Sequence, residues 1–320
     1  MPKVSVIIPA YNAMSYLPIT VDSVFQQTFS DFELIVVNDG SSDHIEQWAN
    51  KIKDARFKFI SQANQGPAVA RNTGIAHAQG EYIAFLDADD LWDAGKLEKQ
   101  VHILDANPDV GLVYSWVGSI DDQGKIRSKV RENYPEEYVW EQILEHNIME
   151  CGSNPMTRRI CFENVGSFDP ILAYAQDWDM WLRIAYKYKF QVIKEPLVYY
   201  RDHPNNRSKN WQVMEKNYHI IFEKSFADLP QDKQHIKNRS YGFANLRIAW
   251  KILQSPSGDY QQARYYFNQG LNYYPQLKFS PEYLRFNLAI MLVRFLGING
   301  YKKIRDLMYS LKSSFVNFSG

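Results

Sequence analysis

The chain has 320 residues, 45% of them hydrophobic and 22% charged, with 36 basic and 36 acidic side chains and no net charge. This balance supports a core of ordinary size in one or two domains, and the lack of a basic surplus argues against a nucleic-acid binder. Two cysteines, Cys151 and Cys161, cannot build a disulfide framework and have no metal-ligand partners at finger-like spacing; they read as small buried thiols in a reducing compartment.

In chain order, Val4–Ile8 is a β-branched run that reads as a buried strand, and Tyr16–Gln27 carries apolar residues at helical spacing. Strands at 32–37, 57–60 and 82–86 then alternate with helices at 45–52, 67–77 and 97–105. That alternation implies a parallel sheet with helices on both faces, whose ligands bind at the carboxyl ends of the strands. The segments that follow the strands are polar: Pro9-Ala10-Tyr11-Asn12, Asn38 to Asp43, Asn64-Gln65-Gly66 and Asp87-Ala88-Asp89-Asp90. From Val110 to about Arg207 the pattern is mixed, with strands at 112–114, 192–193 and 197–200, a turn at 121–124, and helices at 139–146 and 180–188. After about Asn210 only helices are predicted, punctuated at Pro230, Ser255–Gly258 and Pro275. Within this part Gly258, Tyr260, Ala263, Phe267, Leu271 and Pro275 resemble the second half of a tetratricopeptide-type hairpin, and the reading is a helical appendage, since such repeats need neighbours. The expected division is 1–210 as the main domain, with a nucleotide side at 1–109 and an acceptor side at 110–210, followed by a helical region at 211–320.

Four segments carry chemistry. In Tyr82–Asp90 three acids follow a strand, and alternate residues of an extended chain point the same way, so Asp87 and Asp89 can converge on one hard divalent cation. The other reading of the same acids is a helix N-cap, and Asp90 reads as the local structural acid. In Val36–Asp43, Asp39 can accept a base N–H while Gly40 lets the backbone turn close to a ligand; an ordinary turn is the alternative. In Asn64–Asn72 a Gly-Pro pair opens a helix, and Arg71, one turn in, can pair with a diphosphate or with Asp87. In Gln176–Arg183, Asp177 reads as a general base for a sugar hydroxyl or as a helix cap, with Trp178 and Trp181 able to raise its pKa and to stack a sugar.

Taken in order, residues 4–12, 36–43, 64–72, 85–90 and 176–183 resemble the motifs of family 2 glycosyltransferases, whose fold is the GT-A nucleotide-diphospho-sugar transferase fold. The resemblance spans roughly the first two thirds of the chain. It implies an inverting transfer from a nucleotide-diphospho-sugar, usually a UDP-sugar, to an acceptor hydroxyl on a saccharide or lipid-linked acceptor, in polysaccharide, lipopolysaccharide or other glycoconjugate synthesis. Pro9, Tyr11, Asn12, Asp39, Gly66, Arg71, Asp87 and Ala88 would hold the nucleotide. Asp87 and Asp89 match the Asp-x-Asp motif for Mn²⁺ or Mg²⁺, with Asp89 the direct ligand. Asp177 matches the catalytic base, and Gln176, where Glu is commoner, would stand with Trp178 on the acceptor side. Residues 200–203 resemble the closing strand and loop, from which His203 can reach the metal or diphosphate. The chain lacks the Gln-x-x-Arg-Trp motif of processive synthases, which favours addition of a single sugar.

The rival classes fit less well. The loop after the first strand is neither Gly-rich nor basic, as a nucleotidyltransferase needs, and no G-x-G-x-x-G follows that strand. A non-catalytic nucleotide-sugar-binding module is opposed by the retention of Asp87, Asp89 and Asp177. No signal peptide is evident, and the apolar run Leu288–Val293 stops at Arg294, far short of the roughly 20 residues a bilayer span needs. The expectation is a cytoplasmic protein. At the tail, Ile304, Leu307, Met308, Leu311 and Phe315 form an apolar stripe among Lys302, Lys303, Arg305 and Lys312. It can lie peripherally on the cytoplasmic face of an anionic inner membrane, or pack on this protein or on a second subunit.

Overall fold

The computed structural model describes the chain apart from residues 204–205, 207–210, 228–233, 256 and 317–320, and apart from the side chains of 128–129, 306 and 308–316. It divides into two compact units, Met1–Pro204 and Asn205–Gly320.

The first unit is built on a nine-stranded sheet. Strands β1 (Val4–Ala10), β2 (Phe32–Asp39), β3 (Phe57–Gln62) and β4 (Tyr82–Phe85) are mutually parallel in the order β3-β2-β1-β4. They alternate with α1 (Leu17–Phe25), α2 (Ile45–Ala49), α3 (Pro67–His77) and, beyond the short β5 (Leu91–Trp92), α4 (Lys96–Ala106). Every residue of β2 is buried, as continuous Val/Ile/Leu runs require when a parallel sheet is covered on both faces. The sheet continues past β4 through β8 (Met156–Arg158), β6 (Val110–Ile120), β9 (Lys189–Arg201) and β5, with β7 (Ile126–Arg131) paired to β6. Here the pairing is mixed: β8 runs antiparallel to both β4 and β6, and β6 runs parallel to β9.

Three short helices, α5 (Trp140–Glu145), α6 (Arg159–Val165) and α7 (Gln176–Ala185), flank this half. Four elements give too little sequence signal to be predicted: the two-residue β5, the six-residue β7, the three-residue β8, and α6, which follows β8 without a break. The two predicted strands at 192–193 and 197–200 are one strand of 13 residues, because Pro196 is absorbed at a register shift opposite Trp116. Helix α7 begins at Gln176 rather than near Met180, which puts Asp177 in its first turn.

The second unit is helical: α8 (Trp211–Phe226), α9 (Gln234–Gln254), α10 (Tyr260–Tyr273) and α11 (Pro281–Val316), the last kinked at Gly297. Asp259 caps α10 by accepting from the N–H groups of Gln261 and Gln262, and Ala263 and Phe267 of the repeat-like pattern are buried. No described helix is long and apolar enough to cross a membrane.

Candidate active site

The carboxyl ends of β1, β2 and β4 bring three of the predicted segments together, and α3, α7 and the end of β9 supply the rest. The loop after β1 is locked to the loop after β2 by Asn12. Its Oδ1 accepts from the Ser42 N–H at 2.8 Å and its own N–H donates to Ser41 Oγ at 3.0 Å. Asn12 adopts a left-handed φ of 48°, a conformation Asn tolerates better than most residues. Tyr11 beside it is exposed and Pro9 is half-buried.

Asp39 is buried at the end of β2. Its Oδ1 accepts from Gln62 Nε2 and the Gln65 N–H, and its Oδ2 from the Gly66 N–H at 2.8 Å. Gly66 does this at φ 88°, which a side chain would strain, and it then opens α3 with Pro67 at the first turn. Asp39 therefore fixes the entry of the helix that carries Arg71.

Arg71 is buried and donates through Nη2 to Asp87 Oδ1 at 2.5 Å. Its Nε and Nη1 are also buried and have no hydrogen-bond partner. Each orphaned donor costs about 1–3 kcal/mol unless a ligand answers it, so the guanidinium is shaped for an anion not supplied by the chain. Gly152 lies against this pair: a Cβ there would stand 3.2 Å from Arg71 Nη2 and 3.6 Å from Asp87 Oδ2.

The acids after β4 do not point together as an extended strand would direct them. The strand ends at Phe85, and Asp87 to Asp90 form a turn closed by the Asp90 N–H on the Asp87 carbonyl at 3.1 Å. Asp87 consequently turns to Arg71, and Asp89 Oδ2 turns to His203 Nε2 at 2.8 Å. Asp90 is fully buried, accepts from Ser153 Oγ at 2.5 Å and from the Arg201 N–H at 3.0 Å, and serves the turn itself. Ala88 contributes its carbonyl, which accepts from Thr20 Oγ1. Burial and the neighbouring charge of Asp87 hold the Asp89 pKa above the ordinary carboxylate value. Burial, with Asp89 and Asp87, holds Asp90 well above it.

Among the described residues no group of three or more His, Cys, Asp or Glu side chains is gathered closely enough to hold a metal alone. The arrangement still fits a divalent cation of the Mg²⁺ or Mn²⁺ kind, which binds through one or two carboxylates together with substrate phosphate oxygens. Asp89 and Asp90, whose pKa values burial and neighbouring carboxylates raise, beside a guanidinium with unanswered donors, suit a cation and a diphosphate arriving together.

Asp177 lies at the start of α7, half-buried, and burial raises its pKa, with Asp87 raising it further and Arg71 lowering it. Four residues on, Trp181 shares its helix face and packs on Phe85 and Phe168, at ring separations of 6.4 and 6.2 Å. The aromatic cluster thus ties the Asp177 helix to the strand that leads into the acidic turn. Ala175, just before α7, is held left-handed at φ 57°.

Trp178 is not placed to stack a sugar. It is 1% exposed and donates Nε1–H to the Ile143 carbonyl at 2.7 Å, because one step along a helix turns it about 100° away from Asp177. Gln176 is also mostly buried.

Sequence reasoning missed Ser153, Thr20 and Tyr16. The Tyr16 ring packs on His203 at 5.3 Å, its hydroxyl donates to Asp122, and Arg201 lies over its face at 4.8 Å. Arg201 in turn donates Nε–H to the Asp89 carbonyl. An isolated Ser or Tyr in a loop carries no spacing signal.

The sheet and its flanking helices have the architecture of the GT-A glycosyltransferase fold. Residues 5–166 match the model of glycosyl transferase family 2. The uncharacterized glycosyltransferase MJ1057 of Methanocaldococcus jannaschii is 33% identical over 262 residues, 78% of this chain and 85% of that one. The relative named "putative teichuronic acid biosynthesis glycosyltransferase TuaG" of Bacillus subtilis is 34% identical over 229 residues, covering 69% of this chain and 88% of its own. The chain belongs to glycosyl transferase family 2 and is a glycosyltransferase. Two solved structures share its fold with a TM-score of 0.58. Staphylococcus aureus TarS in complex with UDP-GlcNAc is 17% identical, with 86% of this chain and 91% of that one covered. The mannosyltransferase PcManGT of Pyrobaculum calidifontis in complex with GDP-Man and Mn²⁺ is 21% identical, with 98% and 86% covered.

Proposed function

We propose that the protein is an inverting, metal-dependent transferase that moves one sugar from a nucleotide-diphospho-sugar, a UDP-sugar by preference, to an acceptor hydroxyl. The acceptor is a saccharide or lipid-linked saccharide of a polysaccharide or related glycoconjugate, a reading supported by the name of the Bacillus relative. The observation that supports the proposal is that the charges of Arg71 and Asp87 both act on Asp177, while Arg71 is itself hydrogen-bonded to Asp87.

Asp89, with Asp87 and His203, would hold the cation, which when bound neutralises charge on the departing diphosphate. Arg71 binds a diphosphate oxygen through its unanswered N–H groups. Pro9, Tyr11 and Asp39 border the base and Gln176 faces the acceptor side. Asp177 accepts the proton of the acceptor hydroxyl as its oxygen bonds to the anomeric carbon; the bond to the diphosphate breaks on the opposite face, and the configuration inverts. A raised pKa brings this base nearer neutrality, where general-base catalysis is most effective.

The test is nucleotide release from a panel of UDP- and GDP-sugars, with Mn²⁺ or with chelator, by the native protein and by Asp89→Ala. Metal-dependent release from one donor, lost in the variant, supports the reading. Release that survives chelation removes the metal, release from a GDP-sugar alone corrects the donor, and no binding of any donor sinks the proposal.

A further inference from the structure

Helix α11 has two apolar faces, and the second unit uses one. Phe286, Ala289, Ile290 and Val293 are buried, with Phe286 packed on Trp250 of α9 and on Phe267 of α10. Leu284, Leu288, Met291 and Phe295 lie exposed along the same helix at intervals of four, three and four residues, so they form one continuous stripe. Large apolar side chains left in water each forgo about 1.5–3 kcal/mol of burial, and a contiguous row of them marks an interaction surface.

The charge around the stripe names its partner. The chain is neutral overall, yet from Lys278 to Asp306 it carries six basic residues and two acids, Glu282 and Asp306. Beside the stripe α10 and α11 enclose a cleft of about 550 Å³, walled by Tyr265, Met291 and Phe295 and by the guanidinium-bearing Arg264 and Arg294. Both arginines are exposed and have no carboxylate partner among the described residues. A two-fold pairing of this face with itself would set cations against cations. A surface of phosphate headgroups over acyl chains meets both the charge and the stripe.

We propose that this face docks on an anionic phospholipid surface, with the stripe Leu284–Leu288–Met291–Phe295 entering the acyl boundary and Arg264 and Arg294 taking lipid phosphates. The surface lies upstream of the stripe expected from sequence. Of that one Ile304 is half-buried and Leu307 exposed, while Met308, Leu311 and Phe315 fall outside the described side chains.

The experiment is flotation of the full chain with phosphatidylcholine vesicles, with and without phosphatidylglycerol. It is repeated for Leu288→Glu/Met291→Glu and for Arg264→Gln/Arg294→Gln, and light scattering gives the oligomeric state of each. The expected result is flotation only with phosphatidylglycerol, abolished by the glutamates and weakened about fivefold for each cation removed, at unchanged melting temperature. Failure of the native chain to float with either vesicle overturns the proposal. So does flotation that the substitutions leave untouched, or a native dimer that the glutamates dissociate.

Discussion

Ser153 and Asp90 share a hydrogen bond of 2.5 Å, and the same hydroxyl accepts the N–H of Asp87 at 3.0 Å. One side chain from the loop before β8 therefore clamps both ends of the acidic turn. Ser153→Ala leaves the buried Asp90 with fewer donors and the Asp87 N–H without its acceptor. A loss of about 1–3 kcal/mol of stability is expected, read by denaturant unfolding, together with a fall in kcat as the turn loosens.

Asp177 is expected to separate stability from activity. Its folded pKa lies above the unfolded value because burial disfavours the ionised form. Stability is therefore highest below the unfolded pKa and declines as pH rises toward the folded one. Asp177→Asn should abolish transfer, by about 10²–10⁴-fold for a lost general base, while raising the melting temperature at neutral pH. The gain should shrink as pH falls toward the ordinary Asp value of about 4.

The same shift sets the pH profile. The acidic limb of kcat/KM should lie above the ordinary Asp pKa, since the base works only when ionised. Trp181→Leu, which opens the packing around the Asp177 helix, should lower kcat and stability together, by about 2–4 kcal/mol in stability. A limb at or below pH 4 would count against Asp177 as the base.

Arg71 is not replaceable by another cation. Arg71→Lys keeps one charge for Asp87 but loses the planar fork whose two nitrogens stand unanswered. Donor KM should rise about tenfold or more, with a smaller change in melting temperature than Arg71→Met, which leaves Asp87 unpaired. Steady-state kinetics and calorimetric melting of the two variants check this.

Metal removal should silence transfer, and Mn²⁺ should restore it. Asp89→Asn should raise the Mn²⁺ concentration for half-activation far more than His203→Gln, because a carboxylate is the harder ligand. If His203 holds Asp89 only in place, His203→Gln should leave the maximal rate within a few-fold of native.

The first half of the fold was legible because β1 and β2 carry Val/Ile runs, β3 and β4 are short aromatic and aliphatic runs, and the helices between them show their period. Beyond Val110 legibility fell: β8 has three residues, β7 leaves Ile126, Arg127 and Val130 exposed, and Pro196 interrupts a strand that tolerates it at a bulge. Within the site, Arg71–Asp87 was one of the two pairings that the position of Arg71 one turn into its helix allowed, but the alternation argument for Asp87 and Asp89 failed because the segment had already left the strand. Trp178 misled because composition shows that an aromatic residue neighbours an acid, and not which way the helix turns it.

The sheet order carries a consequence for how the protein is made. The acidic turn after β4 is closed by Arg201 and His203, more than a hundred residues later, and β4 gains its second neighbour only when β8 arrives. While the chain is being synthesised, residues 1–109 form a sheet with a raw hydrophobic edge at Tyr82–Phe85, open to pairing with other nascent chains. Residues 1–109 are thus no independent module. Expressed alone it should aggregate, whereas a chain ending after His203 should have every strand of the sheet in place.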